Sequence, residues 1–301
     1  MSLLHPQLTA FAAVLGEGSF EAAARRLSLT PSAVSQRVKA LEDRLGQVLV
    51  QRRSPCTATR AGQRLLRAAA QMQLLETEAL DAFAPDPEGP RAIAVAVNAD
   101  SLATWFLPAL ATLHAERGLL FEVHVEDQDY SAGLLREGRV LGAVTGDASP
   151  VQGCSARRLG TMRYLPVASP AFVAAHFPAG LDAASLDRAP VLIFNRKDAL
   201  QDRFMRRVTR ARVDPPRHYL PSPTGFVEAA MLGLGWAMAP ESMVREPLAR
   251  GQLRALDEGG LDVPLYWQHW SLRSATLTAV TKALLAAARE GLRGSRAHAT
   301  D

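Results

Sequence analysis

Residues 18–42, GSFEAAARRLSLTPSAVSQRVKALE, constrain the fold of this chain more than any other stretch. They predict two short helices joined by a tight turn. Ser19 precedes an apolar-periodic run of Phe20, Ala23, Ala24 and Leu27, with Glu17 and Glu21 placing acid near the helix start. Leu27, Ser28 and Leu29 form the turn. Thr30 suits an N-cap and Pro31 suits the first helical position, where its missing N–H is no loss. Val34, Val38 and Leu41 recur at helical spacing, so one face is buried. The opposite face carries Ser32, Ser35, Gln36, Arg37 and Lys39. Short hydroxyls, an amide and cations are the groups that reach base edges and phosphates from a helix in the major groove. A solvated helical face can carry the same residues, but Ala22, Ala23 and Ala24 on the first helix also permit close packing of the second.

Downstream, a helix ends at Gly46 and an apolar strand runs through Leu49 and Val50 to Arg52 and Arg53. Thr57 and Thr59 sit at the spacing of a returning strand. Such a hairpin is a wing, whose basic tip meets the phosphate backbone. Phe11, Gly18-Ser19-Phe20, Ala22-Ala23-Ala24, Leu27, Ser32-Ala33-Val34-Ser35, Leu41-Glu42, Leu45-Gly46, Leu49-Val50, Arg52, Thr59 and Ala61-Gly62 together resemble the N-terminal signature of the LysR-type transcriptional regulators. Pro31 departs from that pattern, since many members carry Gln there. Base readout then falls to Ser32, Ser35 and Gln36. The resemblance implies a winged helix-turn-helix, a long linker helix that pairs subunits, and a two-lobed effector domain like a periplasmic binding protein.

Charge supports the division of labour. Residues 1–60 hold eight Lys/Arg and four Asp/Glu, which equals the +4 of the whole chain. The basic excess therefore belongs to the first segment, as nucleic-acid binding requires. A hydrophobic fraction of 48% supports real cores in 301 residues, enough for two or three domains. No run of eighteen apolar residues predicts a membrane span. The N-terminus lacks the plan of a signal peptide. Cys56 and Cys154 show no metal or redox spacing, and reduced thiols suit a cytoplasmic protein.

From Ala61 the positions Ala61, Leu65, Ala68, Met72, Leu75, Ala79 and Ala82 step by four and three. This is a heptad seam, and its small residues suit a dimerising helix over 61–84. Pro85, Pro87, Gly89 and Pro90 mark a hinge over 85–90. Beyond it, strand and helix patterns alternate: strands at 91–97, 119–125, 141–145, 164–168, 191–194, 236–239 and 263–269, with helices between them and a last helix at 275–292. That alternation predicts a parallel α/β effector domain over 91–293. Lobe 1 takes 91–163 and 270–293, and lobe 2 takes 164–269.

Ligands of such sheets bind beyond the carboxyl ends of strands. Four points qualify. The first is Asn98, Asp100 and Ser101, where a helix N-terminus favours a carboxylate. Asp147 follows the strand ending at Thr145. Phe194, Asn195 and Asp198 follow a strand of lobe 2, with Arg196 and Lys197 read as solvated. Thr224 is a candidate cap and Phe226 a candidate wall, as is Trp105 from lobe 1. Each has a plain structural alternative: caps for Asp100 and Ser101, a turn for Asp147, core for Trp105.

The segments AVTGD, LGTMRYLPVAS, FNRKDALQ and VPLYWQHW resemble the LysG/ArgP branch of the family. That resemblance implies a basic amino-acid effector, L-lysine or L-arginine and by extension histidine, and control of an amino-acid export or metabolism gene. It places the α-carboxylate at Ser101 and the cationic end at Asp100, Asp147 and Asp198. It also implies no cofactor, no metal and no enzymatic activity. The expected partners are double-stranded promoter DNA, a second copy or three further copies of the chain, and RNA polymerase. Two alternatives keep the DNA-reading half: an aromatic or other carboxylate effector, which would want cations in the cleft, and a ligand-independent nucleoid or replication-origin binder. An enzyme on the same scaffold lacks a Gly-x-Ser-x-Gly nucleophile motif and metal-spaced histidines.

Overall fold

The computed structural model describes residues 4–81, 83, 91–126 and 131–294. The expected hinge at 85–90 and Ala82 of the heptad seam lie outside the described residues.

The N-terminal unit packs three helices, Pro6–Glu17, Phe20–Arg26 and Pro31–Leu45, around Phe11, Val14, Ala23, Ala24, Val34, Val38 and Leu41. The local signals act as expected. Ser19 Oγ accepts from Ala22 N at 3.0 Å and Thr30 Oγ1 from Ala33 N at 3.1 Å, each filling a helix-start donor. Ser28 takes φ of +53° in the turn, and Gly46 closes the recognition helix in the left-handed region. The wing is a two-stranded antiparallel hairpin, Val50–Gln51 against Thr57–Ala58. One carboxylate fastens its base: Glu42 Oε1 accepts from Leu49 N at 2.8 Å and Val50 N at 3.1 Å.

The linker helix is continuous from Arg60 to Asp81. Leu65 and Leu66 pack onto the N-terminal core, while Ala70 and Leu74 pack against the core of the second unit. Met72 and Leu75 of the seam remain 49% and 39% exposed, with Ala79 exposed beside them.

The second unit corrects the expectation of a parallel sheet. Strands Arg91–Val97, Leu119–Val125 and Gly142–Thr145 are parallel, but the sheet then turns antiparallel through Leu261–Trp270 and Cys154–Ala168. These two long strands run side by side out of lobe 1 into lobe 2, where Ala237–Pro240 and Arg254–Ala255 pair with the second of them. The second of these strands begins at Cys154, ten residues before the 164–168 that its sequence pattern predicts. Its alternation is broken by a bulge, where Leu265 faces Gly160 and Tyr266 faces Arg158. Lobe 2 adds a parallel pair, Val191–Ile193 with Arg217–Tyr219, and helices Leu200–Val208, Pro223–Met231 and Glu241–Ala249. The final helix, Ala275–Gly291, lies on lobe 1 beside Leu107–Arg117, with Val280, Leu284 and Ala288 fully buried. Trp236 and Trp267 are wholly enclosed, and burial of side chains of this size is worth about 2–3 kcal/mol each.

Candidate functional site

The recognition helix presents Ser32, Gln36 and Lys39 to solvent on one face, with Ser35 and Arg37 half-buried beside them. Val34, Val38 and Leu41 anchor the opposite face. Arg53 and Thr57 are exposed on the wing. Arg52 is held closer in: its guanidinium donates to Ser35 Oγ at 3.3 Å and stacks 4.8 Å from the centre of the Phe20 ring. The wing cation is thereby kept next to the helix Pro31–Leu45. A helix spaced this way and a basic hairpin beside it match one groove and its flanking phosphates.

The second site is a cavity of about 130 Å³ between the lobes. Lobe 1 contributes Asn98, Ala99 and Asp100, and lobe 2 contributes the loop and helix start from Phe194 to Arg203, with Phe226 and Met238 behind. Tyr164, on the long strand that crosses between the lobes, forms its floor. It is 2% exposed, and its hydroxyl donates to Asp100 Oδ2 at 2.7 Å. Burial pushes the phenol well up, and Asp100 and then Asp198 push it further, so Tyr164 stays a donor at any ordinary pH. Two carboxylates from opposite lobes thus line one cavity, Asp100 on the buried hydroxyl and Asp198 on the facing wall. Asn98 Oδ1 is buried with no partner, a polar atom that a ligand would satisfy.

Of the residues expected at the cleft, Asn98, Asp100, Phe194, Asp198 and Phe226 line it. Asp198 also shapes its loop, with Oδ2 accepting from Phe194 N at 3.1 Å and Oδ1 from Leu200 N at 3.0 Å. Five others lie elsewhere. Ser101 is fully buried in the first turn of the helix that Asn98 begins, outside the cavity lining, and its Oγ, like Asn98 Oδ1, has no partner. Trp105 is core, its Cβ against the close approach of Gly291 in the final helix. Asp147 is exposed and turns back on itself, accepting from Ser149 N at 2.8 Å. Asn195 builds the turn, accepting from Lys197 N at 2.7 Å. Thr224 is exposed, and the helix is capped instead by Ser222, whose Oγ accepts from Gly225 N at 3.2 Å. Tyr164 and Arg203 are not singled out by the sequence, and Lys197, expected to be solvated, is exposed at the cavity. All three line the cavity.

Two family models match the chain: the bacterial regulatory helix-turn-helix protein of the lysR family over residues 5–63, and the LysR substrate binding domain over residues 88–293. The HTH-type transcriptional regulator LysG of Mycobacterium tuberculosis is 50% identical over 292 residues, 97% of this chain and 95% of that protein. The lysine export transcriptional regulatory protein LysG of Corynebacterium glutamicum is 44% identical over 294 residues, 95% of this chain and 98% of that one. The full-length Corynebacterium glutamicum LysG structure with bound effector Arg overlays with a TM-score of 0.80 at 42% identity, covering 96% of this chain and all of that one. Another full-length structure of the same protein overlays with a TM-score of 0.62 at 41% identity, covering 95% and 98%.

Proposed function

The chain belongs to the LysR family of bacterial helix-turn-helix transcriptional regulators, and from that premise we propose that it senses a basic amino acid, L-arginine or L-lysine, and sets transcription of an amino-acid export or metabolism gene. The observation that carries this reading is the pair of carboxylates, Asp100 and Asp198, that line one cavity from opposite lobes, Asp100 bonded to the Tyr164 hydroxyl at its floor. A cationic ligand end placed between them is attracted by both lobes at once, so binding favours closure. Asn98 Oδ1 offers a further acceptor to the same cation. Arg203 and Lys197, at the lobe 2 wall, take the α-carboxylate role that the sequence reading gave to Ser101. An aromatic carboxylate would bring a further negative charge into a cavity already lined by two acids.

At the other end, Ser32, Ser35, Gln36 and Arg37 read bases, while Lys39, Arg52, Arg53 and Thr57 hold phosphates. The exposed seam of Met72, Leu75 and Ala79 is an apolar face of the kind covered by a second copy of the chain, so that two recognition helices meet two half-sites. Ligand changes DNA binding only through unequal affinity for two arrangements of the protein, a coupling of about 1–3 kcal/mol. The test is a titration of full-length protein with L-arginine, L-lysine, L-histidine and benzoate, followed by gel shift on the intergenic DNA upstream of its own gene. Saturable binding of the first two, with a shifted DNA complex, supports the reading. Binding of benzoate alone refutes it.

A further inference from the structure

The linker helix meets lobe 1 through polar contacts at two points. Arg67 donates to the Gln152 carbonyl at 2.7 Å and to Cys154 Sγ at 3.4 Å. Its path is cut close: a Cβ on Gly138 would lie 2.6 Å from Arg67 Cα, and one on Gly153 would lie 2.8 Å from its Nη2. Both glycines also have positive φ, so this seat admits no larger residue. The other point is Glu78. Its Oε1 accepts from Ser274 Oγ at 2.5 Å and Thr276 N at 2.8 Å, and its Oε2 accepts from Ala275 N at 3.2 Å. A carboxylate from the linker helix thus serves the open N–H groups of the helix Ala275–Gly291, where negative charge is favoured.

Residues 67 and 78 are eleven apart, close to three helical turns, so both point to one side of the linker helix. The space between the two contacts is not sealed. A hollow of about 620 Å³ lies there, walled by Gln73 and Thr77 on the helix and by Val140, Leu141 and Trp270 on lobe 1. Between the two polar contacts the helix touches lobe 1 through Ala70 and Leu74 beside a water-accessible gap, so little apolar packing has to be given up for the interface to reopen. The two full-length Corynebacterium glutamicum structures overlay this chain unequally, with TM-scores of 0.80 and 0.62, a difference between two structures of one protein.

We propose that Arg67 and Glu78 form a two-point latch that holds the linker helix on lobe 1, and that passage to a second domain arrangement requires both ends to let go. While the latch is closed, lobe 1 moves with the DNA-reading half and lobe 2 is the part left to swing. This holds whatever ligand the cleft takes.

The test compares full-length wild type, Glu78→Gln and the double variant Arg67→Ala/Glu78→Ala at matched oligomeric state. Small-angle X-ray scattering reads the domain arrangement, and hydrogen exchange reads the amides of Ala275 and Thr276. The double variant is expected to keep its circular dichroism, to shift to a longer maximum dimension and to exchange those amides at least tenfold faster. Glu78→Gln keeps an acceptor and the helix, and should fall between. A folded double variant whose scattering superimposes on wild type overturns the latch. Should the double variant not fold, Glu78→Gln with wild-type scattering and wild-type exchange overturns it equally.

Discussion

Asp100→Asn isolates the charge that the proposed ligand would feel. The substitution keeps an oxygen able to accept from Tyr164 OH, now at 2.7 Å, and so preserves the floor of the cleft. It removes one of the two carboxylates that line the cavity. At 4 Å and an effective dielectric of 20, two unit charges attract by about 4 kcal/mol before desolvation and screening. Asp100 is half-exposed, so most of that is offset. The net worth of a hydrogen bond to a charged group, about 1.5–3 kcal/mol, is the better guide. At about 1.4 kcal/mol per tenfold, L-arginine should bind about 10- to 150-fold more weakly. Calorimetry on the full-length protein at low and moderate salt measures this, and the loss should shrink as salt rises. Asp147→Asn is the internal control. Its carboxylate is occupied with Ser149 N outside the cavity, so affinity should change less than twofold. An Asp100→Asn protein that melts like wild type and binds L-arginine equally well would refute the charge-pairing reading, and a large loss in Asp147→Asn would relocate the site.

Arg52→Ala and Arg53→Ala should each lower the slope of log K against log salt on operator DNA by about one, whatever the sequence tested; Arg52→Ala should in addition loosen Ser35 and so blur base preference, which a mutated-operator series would show. Leu75→Asp on the exposed seam should move the protein toward monomer in light scattering while leaving ligand affinity of the cleft intact. Glu78 supplies a pH signature. Burial pushes its carboxyl up, but hydrogen bonds from Ser274, Thr276 and Ala275 outweigh burial and leave it below the usual range. A carboxyl lowered by folding adds stability above its unfolded value and loses it as pH falls through the folded value. The melting difference between wild type and Glu78→Gln should therefore be present at neutral pH and vanish on acidification below the ordinary carboxylate range.

What could be read directly from the chain were features with local causes. Thr30, Pro31 and Gly46 bound the recognition helix by capping chemistry alone, and the alternation at 91–97 or 119–125 needed no partner to be seen. The long strand through 154–163 was hidden because Arg157, Arg158 and Gly160 interrupt its pattern, and only its pairing with Leu261–Trp270 makes sense of the bulge. The cleft followed the same rule. Asp100 and Asp198 were legible as acids after strands, whereas Tyr164 reads in sequence as one more apolar strand residue. Its hydroxyl becomes informative only when lobe 1 brings Asp100 to it. Asp147 and Asn195 misled for a related reason, since short polar side chains after a strand more often build the turn than serve a ligand.

The two strands that join the lobes make a bending element out of a hydrogen-bonded ribbon. Such a ribbon behaves as a leaf spring: it flexes and twists, but it does not let its ends slide apart. Its ladder is interrupted at the bulge, where Gly160 sits at φ of +149° opposite Leu265. A ligand that draws the lobes together would have to bend this ribbon, and whatever that bending costs is lost from its affinity.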